Sequence, residues 1–214
     1  MVIDIDVVSD AICPWCFVGK KRLEKALAAA KLKHKFRVHW KPFQLNPGMP
    51  KEGMARKEYR ELKFGSEKVV AELDRRMTLV GKEEGIPFAL DRIARTPNTF
   101  DAHRLIWWAD QNQAQDVVVD GLFRAFFTQG LDIGDRRVLT DVAAEAGLNR
   151  ASAAAYLDSE KGVDEVWAEE GKARNLGVEA VPFFLIGGRF AVAGAHPPRS
   201  FIEAFDELDR TSPA

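Results

Sequence analysis

Residues 2–8, VIDIDVV, alternate apolar and acidic positions and close on two valines, which predicts a strand. From Cys16 the small or apolar positions Gly19, Leu23, Leu27 and Ala30 recur at helical spacing. Residues 14–30 therefore read as a helix, with Lys20, Lys21, Arg22, Glu24 and Lys25 on its solvated side. Residues 35–41 alternate again, with Phe36, Val38 and Trp40 pointing one way, and a loop from Pro42 to Pro50 follows. Strand, helix and strand within about forty residues make a βαβ unit with parallel strands and a right-handed crossover.

The long middle reads as helical. Val69, Leu73, Met77 and Val80 form one stripe, with Glu72 spaced to pair with Arg76. Asn98 is placed to cap a helix carrying Ala102, Leu105, Ile106 and Ala109, and Asp101 falls in its first turn. The Val- and Phe-rich segment 115–129 stops at Gly130 as a C′ residue. Asp135 caps a helix that uses Val138, Leu139, Val142 and Ala146 and stops at Gly147, and a short alanine-rich helix covers 151–158. No strand pattern stands out between 55 and 158.

The last third changes character. A helix over 161–175 ends at Gly177, and the continuous apolar run VPFFLI reads as a buried strand. Gly187-Gly188 marks a hairpin turn, 189–193 the return strand, and 197–208 a final helix with Phe201, Ile202, Phe205 and Leu208 inward. Without the helical block the order is βαβ-αββα. The expected architecture is thus an α/β thioredoxin fold with a large all-helical insertion: residues 1–51 and 159–214 form the thioredoxin-like domain, and 52–158 the inserted subdomain.

Composition narrows the function. The chain has 214 residues, 46% hydrophobic and 29% charged, with 31 Lys and Arg against 32 Asp and Glu. A net charge of −1 lacks the positive bias of a nucleic-acid binder. No apolar run approaches the ~20 residues that span a bilayer. Two cysteines are too few for a disulfide scaffold. MVIDIDVVSD has no cationic start, and Asp4, Asp6 and Asp10 interrupt it, so it does not read as a secretory signal. With Met1 as the natural start, a cytoplasmic location is expected, with no membrane and no nucleic-acid partner. In a reducing compartment a cysteine pair is more often catalytic, redox-sensing or metal-binding than structural.

That pair is Cys13-Pro14-Trp15-Cys16, after a strand and at the opening of a helix. Cys13 falls where unpaired backbone N–H groups and the positive helix end favour an anion. Cys16 falls one turn in, on the Leu23/Leu27 face. The placement predicts an exposed nucleophile at Cys13 and a shielded resolving thiol at Cys16, with Pro14 in the first turn, where its missing N–H costs nothing. A zinc half-site needs about two further ligands. There is no third cysteine, and His34, His39, His103 and His196 lack a paired spacing, so no metal is expected. The other bland reading, two incidental core cysteines, leaves the strand-to-helix placement unexplained.

Val181-Pro182 is the second signal. A proline at the entrance to a buried strand cannot donate to the ladder, and a cis bond in a tight turn explains it. With CPWC, the VPFF run, TPNTFDAHRLIWWA and DIGDRRVL, the chain resembles the DsbA-like thioredoxin-fold superfamily, and within it the FrnE-type dithiol-disulfide oxidoreductases. The resemblance implies Cys13 attack on a protein disulfide or a small-molecule thiol partner, release by Cys16, and substrate docking at Val181 beside Pro182. Pro14 and Trp15, between the thiols, are expected on the substrate side, with Trp15 exposed and a mere cover over the dithiol as its rival role. It also implies frequent homodimers. The only cofactor-like element is the Cys13–Cys16 disulfide itself. Some FrnE-type members carry a further cysteine pair that this chain lacks.

Kappa-class glutathione transferases and 2-hydroxychromene-2-carboxylate isomerases are related. In them a serine falls where this chain has Cys13, and a PNT segment, here Asn98 and Thr99, helps shape a glutathione site. Glutathione is therefore a candidate co-substrate. A glutathione-dependent isomerase or transferase, and a non-enzymatic redox-responsive binding module, stand as alternatives to the oxidoreductase. Among individual residues, Asp10 reads as a turn residue with thiolate tuning as its rival, and His103 as a satisfied core histidine. Trp107, Trp108, Phe123, Phe126 and Phe127 read as helical core, with a dimer seam as the rival. Lys20–Arg22 and Arg56–Lys63 read as solvated faces.

Overall fold

A computed structural model of the chain describes residues 2–30 and 34–211. Met1, expected as the natural start, lies outside them, as do 31–33 and 212–214. The alternating first segment forms β1 (Val2–Ser9), followed by α1 (Pro14–Ala29) and β2 (Lys35–Pro42). β1 and β2 pair in parallel over their whole length, Val2 opposite Lys35 and Ser9 opposite Pro42. The chain then leaves the sheet through β3 (Met54–Ala55), α2 (Arg56–Phe64), α3 (Glu67–Glu84), β4 (Arg95–Thr96) and α4 (Phe100–Gln111). It continues through α5 (Gln115–Phe127), α6 (Arg136–Glu145), α7 (Arg150–Leu157) and α8 (Val163–Asn175). β5 (Phe183–Ile186), β6 (Phe190–Ala193) and α9 (Pro198–Thr211) complete it. Among the described residues the main sheet has the order β2-β1-β5-β6, with β5 antiparallel to β1 and β6 antiparallel to β5. This is a thioredoxin-like fold with a helical insertion. Gly187 and Gly188 have φ of 58° and 66°, the conformation a two-residue hairpin turn needs.

The helices between β2 and β5 share one core with the sheet. Phe17 of α1 stacks on Phe123 of α5 at 5.1 Å, and Phe126 and Phe127 pack edge to face at 4.9 Å. Gln115 at the start of α5 seals the open edge of β2: its Oε1 accepts from Trp40 N at 2.9 Å, and its Nε2 donates to Trp40 O at 3.1 Å. A sheet edge satisfied in this way offers no free ladder there. Phe123, Phe126 and Phe127 are buried, and Trp108 stacks on Tyr156 of α7 at 5.4 Å, so these aromatics serve the core.

Several local expectations are corrected. Lys20 is 3% exposed, not solvated: it bonds Glu24 and, at 3.0 Å, Asp116, and its ammonium stands over the Trp40 ring. The α1 pattern cannot reveal this, because the cover comes from α5, far along the chain. Arg22 likewise pairs with Glu84 at 2.6 Å and donates to Ala195 O. Glu72 forms its close ion pair with Arg75, three residues on, at 2.7 Å, and Arg76 acts on it only as a nearby positive charge. Asn98 accepts from Phe100 N at 2.9 Å before the helix begins, so Thr99 is the N-cap residue. α5 ends with Thr128 as its C-cap, which moves Gly130 one place beyond C′. Met54–Ala55 and Arg95–Thr96 form a small antiparallel sheet, too short to leave an alternating pattern. Val69 and Leu73 of the α3 stripe remain exposed, while Met77 is buried.

Among the described residues no helix is long and apolar enough to cross a membrane, and no three His, Cys, Asp or Glu residues cluster to hold a metal.

Candidate active site

The end of β1 delivers a buried turn. Asp10 is fully buried. Its main-chain carbonyl accepts from Cys13 N at 3.0 Å. Its carboxylate accepts from Ile12 N at 3.3 Å and, across the chain, from Leu45 N at 2.7 Å. His103 Nε2 lies 3.5 Å from the same carboxylate and is itself buried. Asp10 is thus the turn residue that holds the start of α1 against the loop after β2.

Cys13 is the N-cap residue of α1, in extended conformation, with Pro14 opening the helix. Both thiols are free. Cys16 is fully buried, and burial together with neighbouring Cys13 pushes its thiol well up, against the opposing pull of the Asp10 main chain and the Ser9 hydroxyl. Cys13 is not the openly exposed thiol expected: 4% of it is accessible, because the Val181 loop and the inserted helices close over the helix start. Its sulfur lies 3.6 Å from Val181 O. The Val181–Pro182 bond is cis. Trp15, expected to be exposed, is half-buried against the core.

Cys13 opens into a groove of about 370 Å³ between the start of α1 and the inserted helices α2 and α3. Pro14, Trp15 and Val181 line it beside the thiol, and Met77, Leu90, Phe126 and Phe127 form an apolar wall. The third side is α2, where Arg56, Tyr59, Arg60 and Lys63 face the groove. This corrects the reading of 56–63 as a solvated face. The signal was present: those four residues recur at helical spacing i, i+3, i+4 and i+7, one stripe of cations and an aromatic.

The structure unites Cys13, Cys16, Pro14, Trp15, Val181 and Pro182. Asn98 and Thr99 do not line this groove. Asn98 donates to Met49 O at 2.6 Å and lines a separate cleft with Phe100 and Trp167, and Thr99 is 3% exposed. The segment reaches the groove through Thr96 instead.

Known proteins share this fold. The DSBA-like thioredoxin domain matches residues 4–206. The chain is 27% identical over 189 residues to the uncharacterized protein YwbO of Bacillus subtilis, covering 87% of this chain and 88% of that one. The probable DsbA oxidoreductase SCO1869 of Streptomyces coelicolor superposes with a TM-score of 0.90 at 31% identity, over 99% of this chain and 92% of that one. The cytosolic disulfide reductase DsbM of Pseudomonas aeruginosa, solved with GSH, superposes with a TM-score of 0.66 at 17% identity, over 97% of this chain and 99% of that one. A family match over nearly the whole length, a groove-facing cysteine at a helix start and a sealed one a turn behind it all converge: the chain belongs to the DsbA-like thioredoxin-domain family.

Proposed function

We propose that the protein is a thiol-disulfide oxidoreductase working through Cys13 and Cys16. The observation that carries this is the division between two neighbouring thiols: Cys13 opens on the groove at the N-terminus of α1, and Cys16 is sealed behind it. The Cys13 thiolate attacks one sulfur of a partner disulfide, forming a mixed disulfide and releasing the other half as thiolate. Cys16 then loses its proton and attacks the Cys13 sulfur. The Cys13–Cys16 disulfide forms, and the second half of the partner leaves as a thiol. In the other direction the same steps oxidise a partner dithiol. Val181, beside Cys13, offers main-chain groups to the partner. The 31% identity to a probable DsbA oxidoreductase supports the reading.

The test is a thiol-exchange assay with insulin as substrate. Cys13→Ser is expected to abolish turnover, and Cys16→Ser to accumulate a mixed disulfide at Cys13 that mass spectrometry detects. Full turnover by Cys13→Ser would sink the reading.

A further inference from the structure

The groove beside Cys13 is built for more than a sulfur atom. Arg56 and Arg60 lie on it with side chains 14% and 12% exposed, and they share a single carboxylate, Asp74. Asp74 sits 2.7 Å from Arg60 but 3.9 Å from Arg56, so one guanidinium is matched and the other is not. Burial, and Arg60 beside it, pull Arg56 down to about 10, a sign of crowded positive charge that Asp74 only partly relieves. Lys63 and Arg76 add two further cations to the lining.

Two polar groups at the same groove also lack partners. Arg60 Nε is buried without a hydrogen-bond acceptor, and the Thr96 hydroxyl, on a residue 2% exposed, is buried without any partner. Buried donors left unpaired are costly, and an acceptor brought by a ligand removes that cost. Opposite them stands the wall of Met77, Leu90, Phe126 and Phe127. The volume of about 370 Å³ lies in the range of small-molecule pockets.

We propose that this groove binds a small amphipathic organic acid bearing a disulfide, with its carboxylate on Arg56, Arg60 and Thr96 and its apolar body on the phenylalanine wall. The proposal rests on the thiol-disulfide reading of Cys13 and names the substrate class. The reduced protein supplies both electrons. Cys13 thiolate attacks the ligand sulfur and expels one ligand thiolate. Cys16 then surrenders its proton to that thiolate and displaces the second. One disulfide and two protein thiols thus become one protein disulfide and two ligand thiols.

The test is single-turnover kinetics of the pre-reduced full chain with dithiobis(nitrobenzoate), an aromatic carboxylate disulfide, and with dithiodipyridine, its uncharged counterpart. Each rate is divided by that of free cysteine to remove intrinsic reactivity. Wild type is expected to favour the carboxylate reagent by about tenfold or more. Arg60→Gln should erase that preference, Arg60→Lys should recover part of it, and Thr96→Val should lower it. A misfolded preparation would itself drift to the ratio of free cysteine, so each variant is first matched to wild type in circular dichroism and urea midpoint, and recovery in Arg60→Lys marks the effect as one of charge. Equal ratios in wild type and Arg60→Gln would overturn the proposal while leaving Cys13 chemistry intact. Oxidised glutathione reacting as fast as the aromatic acid would also overturn it, because charge without an apolar body would then suffice. Failure of Cys13 to react with dithiodipyridine would remove the underlying thiol chemistry, and the proposal with it.

Discussion

The Cys13 sulfur and the Val181 carbonyl oxygen stand 3.6 Å apart although 168 residues separate them along the chain. Gly19 makes that approach tight. A Cβ there would lie 3.0 Å from both Pro182 Cγ and Phe184 Cζ, so the helix rests directly on the strand entrance. Gly19→Ala gains about 1 kcal/mol of helix propensity but overpacks a rigid proline ring, at a cost of about 1–3 kcal/mol. The expected outcome is a net loss of stability in urea, with slower reaction of Cys13 toward dithiodipyridine as the Val181 loop is pushed out. A variant more stable than wild type and equally reactive would contradict it.

The two thiols differ in access and environment. Cys13 opens on the groove, whereas Cys16 is fully buried with its thiol pushed up by burial and by Cys13. Native protein treated with iodoacetamide near neutral pH should therefore take one label, at Cys13. Cys16 should label only after unfolding or well into the alkaline range. Peptide mass mapping reads the site directly, and labelling of Cys16 at a rate equal to Cys13 would rule out a sealed resolving thiol.

Much of this arrangement is written locally. β1, α1, β2 and the closing hairpin follow from alternation, helical spacing and glycine pairs, because each buries a face set by neighbours in sequence. CPWC before a helix and VP before an apolar run are likewise local marks. What escaped was set by distant packing. Lys20 is buried because α5 covers it, and the cap shifts to Thr99 because the Asn98 carboxamide turns to Phe100 N and Met49 O. The cationic groove is not legible locally because α2 alone looks like a solvated helix. Its stripe gains meaning only once α2 lies across from Cys13. The PNT-x-x-AHR segment was legible as a motif, but its residues support the fold around the site: Asn98 ties the 49 loop, and His103 sits on Asp10.

Acid should loosen the junction of α1 with α3. Burial by itself would raise the Glu84 carboxyl, but hydrogen bonds from Lys25 and Arg22, each at 2.6 Å, outweigh it and hold the group below its ordinary 4.5. A carboxylate depressed on folding contributes stability above its unfolded pKa, and that stability is lost as pH falls through the folded value. The wild type should thus lose more stability than Glu84→Gln when urea midpoints are compared between neutral pH and the range below 4.5. Parallel losses in the two proteins would show that the clasp is not pH-linked.

Arg104, the last residue of the AHR motif, makes the sharpest contrast between two buried cations. The residue is 4% exposed, and its guanidinium gathers the turn between α7 and α8. Nε donates to Lys161 O at 3.2 Å, and Nη1 to Leu157 O at 3.3 Å and Asp101 Oδ1 at 2.7 Å. Nη2 donates to Tyr156 O at 3.3 Å, Lys161 O at 2.8 Å and Ser159 O. Carbonyls cannot ionise away or turn to water when their donor is removed, so Arg104→Met should cost about 3–5 kcal/mol. Lys20 is as buried, but its partners Glu24 and Asp116 are 43% and 57% exposed and rehydrate when it is lost. Lys20→Met should therefore change stability by less than about 1 kcal/mol. Urea unfolding of the two variants followed by tryptophan fluorescence decides the matter. Equal costs would mean that burial of the cation, and not the kind of acceptor it satisfies, sets the penalty.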